Sequence, residues 1–122
     1  MTEVMFQIEG APAGAPFLRA EMADTFLRRF LGLMGRRKLP PGRGLLLAPC
    51  NSVHMCFMRF AIDVIYLDDD DRVLKVARNL WPWLGLSLCP GARAVLEVTA
   101  GEAARLGLEK GCQLLRREPP GN

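Results

Sequence analysis

The chain of 122 residues has one histidine, three lysines and a net charge of only +3. A single imidazole excludes metal centres that need two, blue copper among them. The modest charge leaves no electrostatic footprint for a nucleic-acid binder. Basic residues are overwhelmingly arginine, with Lys38, Lys75 and Lys110 the exceptions, a pattern of composition bias. No apolar run approaches the ~18 residues of a membrane span. The opening "MTEVMFQIEG" has no basic segment followed by an apolar stretch, so a cytoplasmic, reducing location is expected. The four cysteines contain no C-x-x-C pair, which argues against a structural zinc site, and that compartment disfavours disulfides. Repeats and internal boundaries are also missing, so residues 1–122 are expected to form one domain.

What is present is a globular balance, 50% apolar and 24% charged, rather than the composition of a disordered chain. "VMFQI" (4–8) predicts a strand with Val4, Phe6 and Ile8 on one face. "ADTFLRRFLGLMGRR" predicts a helix capped by Asp24 or Thr25. Its apolar stripe is Phe26, Leu27, Phe30, Leu31 and Met34, and Gly35 closes it. "LLLAP", "SVHMCFM", "AIDVIYL", "RVLKVA", "RAVLEV" and "GCQLLRRE" read as further strands. The "DDDD" turn (68–71) makes 62–77 a β-hairpin. Residues 78–92 read as a long loop, and Thr99 with Glu102 as a capping box for a late helix ended by Gly107. The sum is an α+β, mainly β fold: a small curled antiparallel sheet or barrel of about seven or eight short strands with two short helices.

The densest chemistry is "CNSVHMCFM" (50–58). Cys50, His54 and Cys56 lack zinc-finger spacing, with Cys89 and Cys112 far away in sequence, so no metal site is assigned. Soft ligands there still leave a lesser reading, a soft-metal carrier. A thiol nucleophile needs a histidine close by, and residues two apart on a strand share a face, so Cys56 stands beside His54. The plainer reading is a core-facing strand with small thiols as filler, because cysteine is among the most buried residue types. Asp63 resists that plain reading. It lies inside "FAIDVIYL", where an unpaired carboxylate costs several kcal/mol to bury. Alternation sets Ile62, Val64 and Tyr66 on one face and Asp63, Ile65 and Leu67 on the other. His54, Arg59 and Asp63 are therefore expected to interact, fixing the register or forming the polar floor of a pocket.

An EF-hand counted from Asp68 puts Val73 and Asn79 where glycine and glutamate are required. Arg28, Arg29, Arg36, Arg37, Lys38 and Arg43 read as a solvated face rather than a phosphate site. Trp81 and Trp83 flank Pro82 in the long loop, as a partner anchor or a lid on the core.

"LGLMGR" (31–36), "CNSVHMCFMRFAIDVIYLD" (50–68), "PW" (82–83) and "GARAVLEVTAGEAARLGLEKG" (91–111) resemble the domain of unknown function 192 family. The likeness runs in order from about residue 24 to 116. It is most specific at Cys50, His54, Met58, Arg59, Ile62 and Asp63, which occupy the family's central pattern. Ala61 stands where that pattern has proline, Cys56 where an aromatic or apolar residue is common, and Cys112 where aspartate is common. The resemblance implies a compact, mainly β fold with small helices and no particular reaction. The leading functional expectation is a non-catalytic ligand- or protein-binding accessory module using His54, Met58, Arg59, Asp63, Trp81 and Trp83. The alternative is a small enzyme with Cys50, His54 and Asp63 as its catalytic group. No cofactor, nucleic acid or membrane span is expected. The partner is a small molecule or protein of unstated identity, and the oligomeric state is open.

Overall fold

The computed structural model describes residues 3–23, 39–54 and 58–118, with His54 defined by its backbone. The predicted first helix, Arg28, Arg29, Arg36, Arg37, Lys38 and Cys56 lie outside the described residues. In chain order the elements are β1 (Glu3–Ile8), β2 (Leu18–Ala23), β3 (Arg43–Leu47), β4 (Ser52–His54) and β5 (Ile62–Leu67). They continue with β6 (Val73–Leu80), β7 (Leu86–Leu88), β8 (Ala94–Thr99), α1 (Glu102–Leu106) and β9 (Leu114–Arg117). The fold is mainly β, as the strand patterns predict. Among the described residues there are nine strands and one helix, and none of the described helices is long and apolar enough to cross a membrane.

Seven strands form one sheet in the order β6-β5-β8-β3-β2-β1-β9, and β4 pairs with β7 as a separate two-stranded flap. All pairings are antiparallel except β2 with β3. The sheet curls until its two ends approach. Arg72 bridges Gln113, and the Val73 N–H donates to the Cys112 carbonyl at 2.8 Å. This half-barrel has apolar packing on both surfaces. The concave side collects Val4, Phe6, Leu18, Leu46, Ile65, Leu67, Leu96, Val98 and Ala103 of α1. The convex side collects Leu45, Leu47, Ile62, Val64, Tyr66 and Val95 under Val53 of the flap, with Leu39 and Met58. Strands β5 and β8 are thus covered twice, which is why their sequences are near-continuous apolar runs rather than alternating ones. Each fully buried Val, Leu or Ile side chain contributes about 1.5–3 kcal/mol.

The alternation expected for β5 is observed, with Ile62, Val64 and Tyr66 convex and Ile65 and Leu67 concave. The 62–77 hairpin is also observed, and β6 runs on to Leu80. Its turn is held by Asp68, whose Oδ1 accepts from the Asp70 N–H at 2.8 Å and the Arg72 N–H at 3.0 Å. Two expectations are corrected. The stretch 78–92 is not one loop, because it contains the end of β6 and all of β7. The capping box is absent. The N-cap is Gly101, with no hydrogen bond from its own side, and Thr99 Oγ1 instead donates to the Leu39 carbonyl at 2.9 Å. Glu102 turns away from Thr99, accepting from the Gly42 N–H at 2.8 Å and from two Arg105 nitrogens at 2.6 and 2.8 Å.

Gly44 lies on β3 directly opposite Val98 of β8. A Cβ there meets the Glu97 carbonyl oxygen and a Val98 methyl, both at 3.0 Å. Gly44→Ala is expected to lower stability by about 1–3 kcal/mol in urea titration, because the Glu97 backbone and the packed Val98 must shift to admit the methyl.

Candidate functional site

Asp63 lies on the concave side of β5 and is only 1% exposed. Its Oδ2 accepts from the Gly101 N–H at 2.9 Å and the Ala103 N–H at 3.1 Å, and its Oδ1 from the Asn79 N–H at 2.8 Å. The carboxylate is therefore the cap of α1, supplied from a strand 38 and 40 residues away in sequence. The expected ion pair with Arg59 is not formed: among the described residues no salt bridge joins them, and Arg59 is exposed. The inference that a buried Asp63 needs partners holds, but the partners are backbone donors that a sequence pattern does not advertise. Asn79, the third donor, takes a left-handed φ of 55° beside a register shift between β5 and β6. Asp63 thereby ties α1 to the strand end from which residues 81–85 project.

Of the other sequence candidates, Met58 and Cys50 lie on the convex side. Met58 is buried there, and half-buried Cys50 packs at its edge with Sγ 3.2 Å from the Ser52 carbonyl. His54 stands opposite Leu86 in the flap register. Arg43, grouped with the basic face, pairs with Glu3 at 3.0 Å. Cys112 is remote, packing against the concave core. The structure thus brings Cys50 and Met58 to one side of the sheet and directs Asp63 to the other.

Two polar features of the convex side escape the sequence reading. The ring of Tyr66 is fully buried, and its hydroxyl donates to Ser87 Oγ at 2.9 Å, pinning the flap to the sheet. Burial raises the Tyr66 pKa, against the lowering effect of that hydrogen bond, and the nearby Cys50, Cys89 and Glu97 raise it further. Glu97, opposite Leu45 on β3 and Val64 on β5, is 5% exposed. Its Oε1 has no hydrogen-bond partner among the described residues, and burial pushes its pKa up to about 7. The signal that singled out Asp63, a carboxylate inside an apolar run, is equally present in "AVLEV". Among the described residues no three His, Cys, Asp or Glu side chains form a metal-holding group.

Among the described residues the most exposed apolar feature is the tongue between β6 and β7. Trp81 is 63% exposed, Trp83 58%, Leu84 86%, Leu86 73% and Leu88 55%. The Gly85 N–H donates to the Trp81 carbonyl at 2.9 Å, and Trp83 has a φ of 68° at the tip. Along β7 the leucines alternate with buried Ser87, so strand geometry turns Leu86 and Leu88 outward when the hydroxyl turns in.

Comparison with known proteins gives consistent relatives. A UPF0127 protein of Thermococcus sibiricus is 35% identical over 104 residues, covering 79% of this chain and 64% of that protein. The chain thus spans less than two thirds of that relative's length. A UPF0127 protein of Pyrococcus furiosus is 34% identical over 102 residues, covering 80% of this chain and 85% of its own length. A crystal structure of a Novosphingobium aromaticivorans protein of unknown function superposes with a TM-score of 0.79 at 28% identity, covering 93% of this chain and 83% of the other. A Sinorhizobium meliloti crystal structure superposes at 0.81 with 23% identity over 94% and 92% of the two chains, a likeness of fold alone. Residues 8–115 match the model of the DUF192 family, described as "uncharacterized ACR", and the chain belongs to that family.

Proposed function

We propose that this protein is a non-catalytic binding module whose contact face is the Trp81–Leu88 tongue with the adjoining flap, where His54 pairs with Leu86. Exposed Arg59 serves the same face, and buried Met58 belongs to the core under the flap. One observation carries the reading: five large apolar side chains, all more than half exposed, lie within eight consecutive residues. Isolated exposed leucines need no explanation, but a contiguous patch of them marks an interaction site. Asp63 serves the module indirectly, by holding Asn79 at the root of the tongue. A photo-activated cross-linking residue at position 84, in protein made in its own cells, is expected to form covalent adducts. The same residue at position 115, on the opposite sheet edge, is expected to form few. Equal yields at both positions overturn the reading.

A cysteine–histidine enzyme is the second reading, favoured by the placement of Cys50 and Cys89 around buried Tyr66. It suffers from the engagement of both Asp63 oxygens by backbone N–H groups on the other side of the sheet. That reading predicts one thiol alkylated at least about tenfold faster than the others at neutral pH, with His54→Ala abolishing the difference. The binding module predicts comparable rates for the half-exposed thiols.

A further inference from the structure

We infer that the tongue inserts into an anionic phospholipid surface. The inference rests on the binding-module reading and names its partner. Between Leu80 and Leu88 the only polar side chain is Ser87, which is buried and bonded to Tyr66. The large exposed side chains of this segment are therefore indole and leucine. Protein interfaces carry polar groups that fix orientation, and from Trp81 to Leu88 no exposed side chain offers a charge, a hydroxyl or an amide. A fluid interface needs none. Tryptophan is suited to the headgroup level, with an apolar body and one N–H, and leucines reach the acyl boundary.

Charge around the tongue selects the type of lipid. From Val73 to Leu96 there are three cations, Lys75, Arg78 and Arg93, and no Asp or Glu. Arg93 pairs with Asp69 at the far end of the hairpin. Lys75 and Arg78 donate instead to the carbonyls of Leu88 at 3.0 Å and Leu108 at 3.2 Å, and among the described residues neither forms a salt bridge. Exposed Arg59 leads into Ile62, which pairs with Leu80 at the root of the tongue. The acidic turn, Asp68 to Asp71, lies at the opposite end of β6. Exposed Glu109 beside Leu108 is followed directly by Lys110, and their charges offset. An apolar anchor flanked by cations is the two-signal combination that holds a peripheral protein on negatively charged bilayers, and one signal alone holds it weakly.

The chain has two tryptophans, both in the tongue, so intrinsic fluorescence reports on this segment alone. The purified protein is mixed with phosphatidylcholine vesicles, with and without phosphatidylglycerol, some carrying bromine-labelled acyl chains. With phosphatidylglycerol present, emission is expected to shift to the blue and to be quenched by the bromines, with binding weakening as salt rises. Leu84→Glu with Leu86→Glu keeps both reporters, alters only exposed positions and is expected to weaken binding at least about tenfold. Lys75→Gln with Arg78→Gln is expected to flatten the salt dependence. Unchanged emission, or binding indifferent to phosphatidylglycerol, overturns the inference. Emission that instead shifts with protein concentration, alongside a doubled mass in sedimentation, overturns it in favour of a second copy and leaves the binding-module reading standing. That broader reading falls separately, if position 84 yields no excess of cross-links in cells.

Discussion

Asp63→Ala is expected to cost about 3–5 kcal/mol of folding stability, measured by urea unfolding at neutral pH. The substitution removes one acceptor from three backbone donors at once, those of Asn79, Gly101 and Ala103. A hydrogen bond to a charged group contributes about 1.5–3 kcal/mol, and a donor stranded in the interior adds a desolvation cost. Ala103 is fully buried, so its N–H has no water to turn to, whereas Asn79 and Gly101 are exposed residues whose amides recover part of their loss. Asp63→Asn keeps one acceptor oxygen but turns an NH2 toward another donor, so about half the loss is expected. Hydrogen exchange separates this account from a generic core defect, because protection is expected to fall first at Asn79, Gly101 and Ala103. Arg59→Ala supplies the contrast, with a change within about 0.5 kcal/mol expected for an exposed side chain that forms no ion pair among the described residues. If Arg59→Ala proves as damaging as Asp63→Ala, the arginine rather than the backbone neutralises the carboxylate.

What the sequence made legible follows from periodicity. Val4, Phe6 and Ile8, the two faces of β5 and the Asp68–Asp71 turn are all local patterns, and each is found where its residues predict. What escaped depends on contacts distant along the chain. Thr99 and Glu102 have the spacing of a capping box, yet Asp63 reaches the orphan donors of α1 first, and no window around residue 100 contains it. With that role taken, Glu102 grips Arg105 and Gly42, and its pKa is lowered chiefly by the Arg105 bond. The second strand of the flap was hidden because β7 has three residues, too few for a periodic signal, and prolines flank the stretch at 82 and 90. At the tongue, the tryptophans marked a segment that is exposed in the fold. Their position facing outward, rather than folded onto the core, is set by the Gly85–Trp81 turn and the inward commitment of Ser87.

Glu97 leads to the second large effect, of opposite sign. With no hydrogen-bond partner for its buried Oε1 among the described residues, the protonated form is favoured in the fold, and the pKa rises from 4.5 to about 7. Below the unfolded value both states hold the proton, and the group is neutral in its effect on stability. Between the two values only the folded state holds it, so stability falls as pH rises. Above about pH 7 the whole cost of a buried, ionised carboxylate is present. A shift from 4.5 to about 7 corresponds to roughly 3 kcal/mol, at ~1.36 kcal/mol per pH unit. Glu97→Gln cannot ionise, so its stability relative to the parent protein is expected to improve by about 3 kcal/mol between pH 4 and pH 8. Comparing the two proteins at each pH is necessary because Glu102 works in the other direction. Its lowered pKa gives stability above its unfolded value that is lost as pH falls, and that contribution cancels in the difference. A difference that stays flat across this range means that Glu97 is ionised at neutral pH within the fold, with water or a cation supplying what the described residues do not.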